Sequence, residues 1–237
     1  MNQETTKVLH DAMLMAGKDL RIERGSRVVL GQILPFGALV LILFGVAVSP
    51  DLTVLGTDRR TVLTQVAPGL FWMAVLFASL QALSRSFALE SADGNLDGLK
   101  MAGLDPAGIF LGKAGTVTVQ LLVLEVLLGL GAFLLYGAPV GNILLLVVTV
   151  VLATTAITSA GTLYAALASG LRVRDTLVPL LVLPALAPVL LAATLATEAA
   201  IFGSSGTGWS WAMLLGVFAL LYVGIGMLSF GPIMEES

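Results

Sequence analysis

The chain has no cysteine, one histidine and very little charge for its length. Without cysteine there is no disulfide, no thiolate metal site and no cysteine nucleophile. The one histidine, His10, lies before the first apolar run, so no imidazole within the later runs or loops can ligate iron or shuttle protons. Charged residues fill 11% of 237 positions against 57% hydrophobic ones, and the mean hydropathy is +1.00. A soluble domain of that composition would carry more apolar surface than one core can bury, so a bilayer has to act as solvent. The net charge of −3 offers no basic surface to nucleic acid, and in a membrane protein the placement of charge matters more than its sum. Nine charged residues of both signs occupy the first 27 positions, which is not the pattern of a cleavable signal. The first apolar run is therefore expected to be retained.

Six long apolar runs are what the sequence does have. A helix rising ~1.5 Å per residue needs roughly 20 apolar residues to cross ~30 Å of hydrocarbon. That length places spans near 28–48, 66–84, 107–136, 140–168, 176–197 and 209–230. An open strand would leave backbone groups unsatisfied in lipid, so all six are read as helices. Gly137-Ala-Pro139, Gly170 to Asp175 and Gly203 to Gly208 are the predicted breaks between the last four. The expected fold is an all-α membrane protein with one transmembrane domain over 1–237, which includes a cytoplasmic or interfacial N-terminal segment, 1–27. With the N-terminus inside, ten of the twelve basic residues fall on the cytoplasmic side, leaving only Arg59 and Arg60 outside. That asymmetry puts both termini in the cytoplasm and Trp209 and Trp211 at the outer interface.

Before the first span, Leu9, Met13, Ala16 and Leu20 recur at helical spacing, with Lys7, Asp11, Lys18 and Arg21 on other faces. This predicts an amphipathic interfacial helix on the inner leaflet. Between the second and third spans lies an acidic, glycine-punctuated segment, about 90–104, expected to be cytoplasmic and to contain a short helix. Asp93, Asn95 and Asp97 open like a calcium loop, but the twelfth position is Leu104 rather than a bidentate Glu. Gly103 to Gly108 has phosphate-loop spacing, yet Ile109 and Phe110 stand where Lys and Ser or Thr are needed. The same Asp-Gly turn lacks the Ala-Arg pair of membrane phosphatidyltransferases. No catalytic or metal-binding residue is expected.

Glu125 is the only charged residue in the apolar stretch Ala114 to Tyr136. A charge there costs several kcal/mol, so the expectation is a protonated side chain, a partner-facing one or one lining a wet cavity. Arg85, at the inner end of the second span, either pairs with Glu90 or snorkels to head groups. Pro184 and Pro188, one turn apart, are expected to kink or loosen the fifth helix. Met73, Met213 and Met227 read as lipid-facing or packing residues rather than axial ligands.

Several of these residues together resemble the haem exporter protein B family, the ABC-2 type membrane subunit of cytochrome c maturation. The resemblance is carried by Ala67-Pro-Gly-Leu-Phe-Trp72, Ser79 to Phe87, Asp93-Gly-Asn-Leu96 with Leu99, and Leu181-Val-Leu-Pro184 with Pro188. It implies a permease of the bacterial inner membrane that forms a homodimer and binds a separate ABC ATPase, with no catalysis of its own. It also implies a haem-handling membrane subunit, a small accessory protein and a periplasmic haem chaperone as partners. On that reading ATP and haem are handled by those partners, and the output is haem export or release of the haem-loaded chaperone. The segment of Glu90, Asp93, Gly94, Leu96, Asp97, Gly98, Leu99 and Lys100 then becomes the ATPase-coupling element. Leu96 and Leu99 would supply its apolar contact, Asp93 its cap, and the two glycines close approach. The N-terminal helix becomes an elbow that passes movement to the first span. An ABC-2 permease for a lipid or glycan, or a membrane scaffold that transports nothing, would share the topology.

Overall fold

In a computed structural model the chain is all-helical. The structure describes residues 3–26, 31, 34–47, 59–92, 103–137, 140–168 and 174–236. Among these residues the helices are α1 (Gln3–Ser26), α2 (Leu34–Ala47), α3 (Arg59–Ala92), α4 (Pro106–Tyr136), α5 (Ile143–Leu167), α6 (Arg174–Phe202) and α7 (Ser205–Glu236). Five of them, α3 to α7, are long and apolar enough to cross a bilayer, and the protein is a multi-pass membrane protein. They correspond to the second through sixth predicted spans. Of the first predicted span, 28–48, the helix covers Leu34–Ala47, 14 residues.

Three boundaries differ from the sequence reading. Helix α3 runs on to Ala92, so Glu90 belongs to its last turns rather than to a loop. Arg174 and Asp175 open α6 instead of closing the turn before it. The break between α6 and α7 shrinks to Gly203 and Ser204, because Gly203 reverses the chain in a single left-handed step at φ 79°. At the other end of α4 the predicted break holds, with Gly137 at φ 66° capping the helix by its N–H to the Phe133 carbonyl. Helix α6 continues through Pro179, Pro184 and Pro188. Pro188 can donate no backbone hydrogen bond to the Pro184 carbonyl one turn before it; next to that gap the Ala185 carbonyl accepts the Tyr222 hydroxyl of α7 at 2.9 Å.

The core is centred on α5, α6 and α7, which pack on one another, with α3 and α4 closing the bundle. Alanines line the closest faces: Ala153, Ala156 and Ala160 on α5, and Ala192, Ala193 and Ala196 on α6, all buried. Small side chains let helices approach closely, which matters in lipid because no hydrophobic force drives helix association there. Trp72 of α3 is anchored by its indole N–H on the Thr197 hydroxyl of α6, at 2.9 Å. Helix α2 lies along the second half of α4, with Gly37 against Leu128 and the Leu41 carbonyl accepting the Tyr136 hydroxyl at 2.5 Å. Met73 and Met213 sit on exposed faces, while Met227 packs against the core.

The two ends of the bundle are distinct. At one, the Asn142 N–H before α5 bonds the Ala200 carbonyl of α6 at 2.8 Å, bringing the α4–α5 and α6–α7 connections together. At the other, the start of α4 meets both α1 and the end of α7, where Phe110 and Phe230 pack with ring centroids 5.7 Å apart. Helix α1 and the end of α7 therefore share one end of the molecule.

Candidate functional site

The most closely built feature is the joint between α1 and the start of α4. Asp105 caps α4, its carboxylate accepting the Ala107 N–H at 2.9 Å, with Pro106 at the first helical position where no N–H is needed. The Asp105 N–H in turn donates to the Asp11 carboxylate of α1 at 3.1 Å, and Asp11 is only 5% exposed. Beyond this cap α1 lies side by side with α4. Gly108 faces Val8, Asp11 and Ala12, and Gly112 faces Ala12 and Met15, so the two helices run in the same direction. A Cβ on Gly108 would fall 2.9 Å from the Asp11 Cβ and 3.0 Å from the Val8 carbonyl oxygen. Only glycine allows this approach.

The packing face of α1 is not the predicted apolar stripe. Asp11 and Met15 are buried, whereas Leu9 and Met13 are 48% and 74% exposed. An aspartate on the inner face is tolerated because its carboxylate has the Asp105 N–H as partner. The length of α4 explains where this seat is. Its 31 residues extend ~46 Å, leaving roughly ten residues beyond a ~30 Å hydrocarbon layer. The part of α4 that α1 covers is its first turns, around Gly108 and Gly112.

Of the predicted coupling residues, Glu90 lies in α3, and Asp93, Gly94, Leu96, Asp97, Gly98, Leu99 and Lys100 lie outside the described residues. The chain re-enters description at Gly103, with φ 66°, directly before the capped start of α4. Arg85 is half-buried at the end of the apolar stretch Thr64–Arg85. Pro184 and Pro188 occupy the exposed face of α6.

Glu125 points into its own bundle. It is 3% exposed there, and both carboxyl oxygens lie 2.7 and 2.8 Å from the Thr154 hydroxyl of α5. Seven residues earlier on α4, Thr118 meets Thr158 of α5 at 2.7 Å. Among the described residues no cluster of three or more His, Cys, Asp or Glu could hold a metal ion.

A model of the CcmB protein family matches residues 11–233. The chain belongs to the CcmB family. It is 33% identical over 183 residues to heme exporter protein B of Paracoccus denitrificans, covering 73% of this chain and 76% of that protein. The Rhodobacter capsulatus heme exporter protein B is 31% identical over 186 residues, 75% and 78% of the two chains. The Pseudomonas aeruginosa protein of the same name is 29% identical over 195 residues, 82% and 84%. The family match takes in Asp11, Met15, Gly108 and Gly112, so the joint lies within what defines the family's extent.

Sequence reading missed this joint. Its signal was Gly108-Ile-Phe-Leu-Gly112, a pair of glycines four apart that marks close helix packing in membrane proteins. Nothing in the sequence pointed from those glycines to α1, about a hundred positions away.

Proposed function

We propose that this chain is the membrane subunit of an ATP-driven machine of cytochrome c biogenesis, taking mechanical work from a separate ATPase at segment 90–104. Its relatives are named heme exporter protein B, which supports haem as the species handled; the species acted on is haem or a haem-loaded periplasmic chaperone. With His10 as the sole imidazole, the composition favours release of a loaded chaperone over a haem conduit that would have to work without iron ligands. Six spans are read from the lengths of the apolar runs, and on that count the ten-to-two basic asymmetry supports both termini in the cytoplasm of a bacterial inner-membrane protein. The shared position of α1 and the end of α7 supports that topology. The outward Leu9 and Met13 suit a helix resting against the inner leaflet. A homodimer carrying two ATPases, with a haem-handling subunit and a small accessory protein, completes the assembly.

The observation that carries this reading is the bond from Asp105 to Asp11. Movement of segment 90–104 reaches α4 through Asp105, and the same residue holds α1. A push at the segment therefore moves α4 and α1 together. Leu96 and Leu99 are the contact residues, and the whole acidic segment from Glu90 to Lys100 is the surface offered to the ATPase. The test is the double substitution Leu96→Asp and Leu99→Asp. The expected result is a normally inserted protein that no longer co-purifies with the ATPase or supports cytochrome c maturation. Normal ATPase binding and normal maturation in that variant would overturn the proposal.

A further inference from the structure

We propose that Glu125 is a proton-binding site, held as an uncharged carboxylic acid whose own hydrogen fastens α4 to α5 within the membrane. The inference stands on hydrogen-bond accounting and does not depend on the ATPase reading. The Thr154 Oγ1 atom has three oxygen neighbours within hydrogen-bond distance: Glu125 Oε1 at 2.7 Å, Glu125 Oε2 at 2.8 Å and the Val150 carbonyl at 2.7 Å. A threonine hydroxyl has one hydrogen to share among them. Were Glu125 ionised, that single hydrogen could serve a carboxylate oxygen or the carbonyl, not both. Thr154 is the one side chain among the described residues that bonds to Glu125. An ionised carboxylate would then be buried with one side-chain donor among the described residues for about four acceptor positions, and uncompensated burial of a charge is costly.

Adding one proton resolves the count. The acid donates its hydrogen to Thr154 Oγ1, and the hydroxyl donates its own to the Val150 carbonyl. Every hydrogen in this chain of three groups is used. A second polar contact joins the same helices. Thr118 and Thr158 can each donate to a carbonyl of their own helix, Ala114 at 2.8 Å and Thr154 at 2.9 Å, or one can donate to the other. The α4–α5 pair is thus held by uncharged hydroxyl and carboxyl groups, a form of polar adhesion that costs little in a medium without water.

The experiment is infrared spectroscopy of the purified protein in lipid vesicles at neutral pH, with 13C-labelled glutamate to assign glutamate bands. The expected result is a protonated-carboxyl C=O band from one glutamate in the wild type, absent from Glu125→Gln. Thr154→Val keeps the acid but removes its acceptor, so the band should persist and move to higher frequency; this arm remains informative if the glutamine variant fails to fold. Absence of a protonated glutamate band in the wild type, or its persistence unchanged in Glu125→Gln, overturns the assignment. Loss of the α4–α5 bond in Thr154→Val should raise the unfolded fraction in detergent roughly 3- to 15-fold. Glu125→Gln, which still donates, should stay closer to wild type than Glu125→Leu. Equal stability of the glutamine, leucine and lysine variants would overturn the fastening role.

Discussion

Replacing Gly112 with alanine puts one methyl group into the α1–α4 joint. The new Cβ would stand 2.6 Å from the Met15 Cβ, 2.8 Å from the Ala12 carbonyl oxygen and 3.1 Å from the Met15 Cγ. Ordinary carbon contacts lie at about 3.5 to 4.0 Å, so α1 has to withdraw by roughly 1 Å. Two of the obstacles are backbone or first side-chain atoms, which no rotamer change can move aside. Overpacking of this kind costs about 1 to 3 kcal/mol. If α1 leaves its seat transiently, that cost raises the open population roughly 5- to 150-fold. The chain contains no cysteine, so Met15→Cys gives a single thiol at a position that is 2% exposed. Thiol labelling of that variant reads the opening directly. Labelling should be slow with Gly112 present and faster by the stated factor in the Met15→Cys, Gly112→Ala double variant. Gly115→Ala is the control, because nothing lies within 4 Å of its added Cβ and alanine favours the helix. If Gly112→Ala left the labelling rate unchanged, the close-packed joint would be refuted.

The same thiol reads a second perturbation at this joint. Asp11→Asn keeps the shape but weakens a charge-assisted bond to the Asp105 N–H, and should raise Met15→Cys labelling several-fold, less than Gly112→Ala. Sidedness is testable with single cysteines and an impermeant reagent on intact cells: Ser205→Cys and Arg59→Cys should label, and Lys100→Cys and Arg172→Cys should not. The reverse pattern would invert the topology.

Long apolar runs are legible in sequence because length alone decides whether a helix can cross a membrane, and for that reason α3 to α7 were found. Their ends were less legible. Hydropathy stops at the last apolar residue, whereas α3 continues to Ala92 and α6 begins at Arg174, because a helix persists past the hydrocarbon as long as caps and neighbours satisfy its backbone. Glu125 stood out in the sequence as a cost, but the residue that meets it, Thr154, is an ordinary threonine among many in α5. The face of α1 that seats on α4 is a different one from the apolar stripe, and it went unread for a physical reason. Apolar periodicity finds the side that seeks lipid, and Leu9 and Met13 do that; the side that seats on α4 is built from small residues, a methionine and a satisfied aspartate, which no hydropathy pattern separates from a solvated face.

The sequence distance across the α1–α4 joint has a consequence for how the molecule is made. Met15 leaves the ribosome nearly a hundred residues before Gly112, and at about 5 to 20 residues per second that is a wait of roughly 5 to 20 s. Throughout that interval the Asp11 and Met15 face has nothing to rest on. The charges at Lys7, Asp11, Lys18, Asp19 and Arg21 bar α1 from slipping into the bilayer as a spurious extra span, and exposed Leu9 and Met13 give it a place to lodge at the surface. Segment 90–104 also emerges before its anchor at Asp105 exists. A nascent chain therefore offers no finished joint until α4 has been delivered, and until then segment 90–104 is attached at one end only.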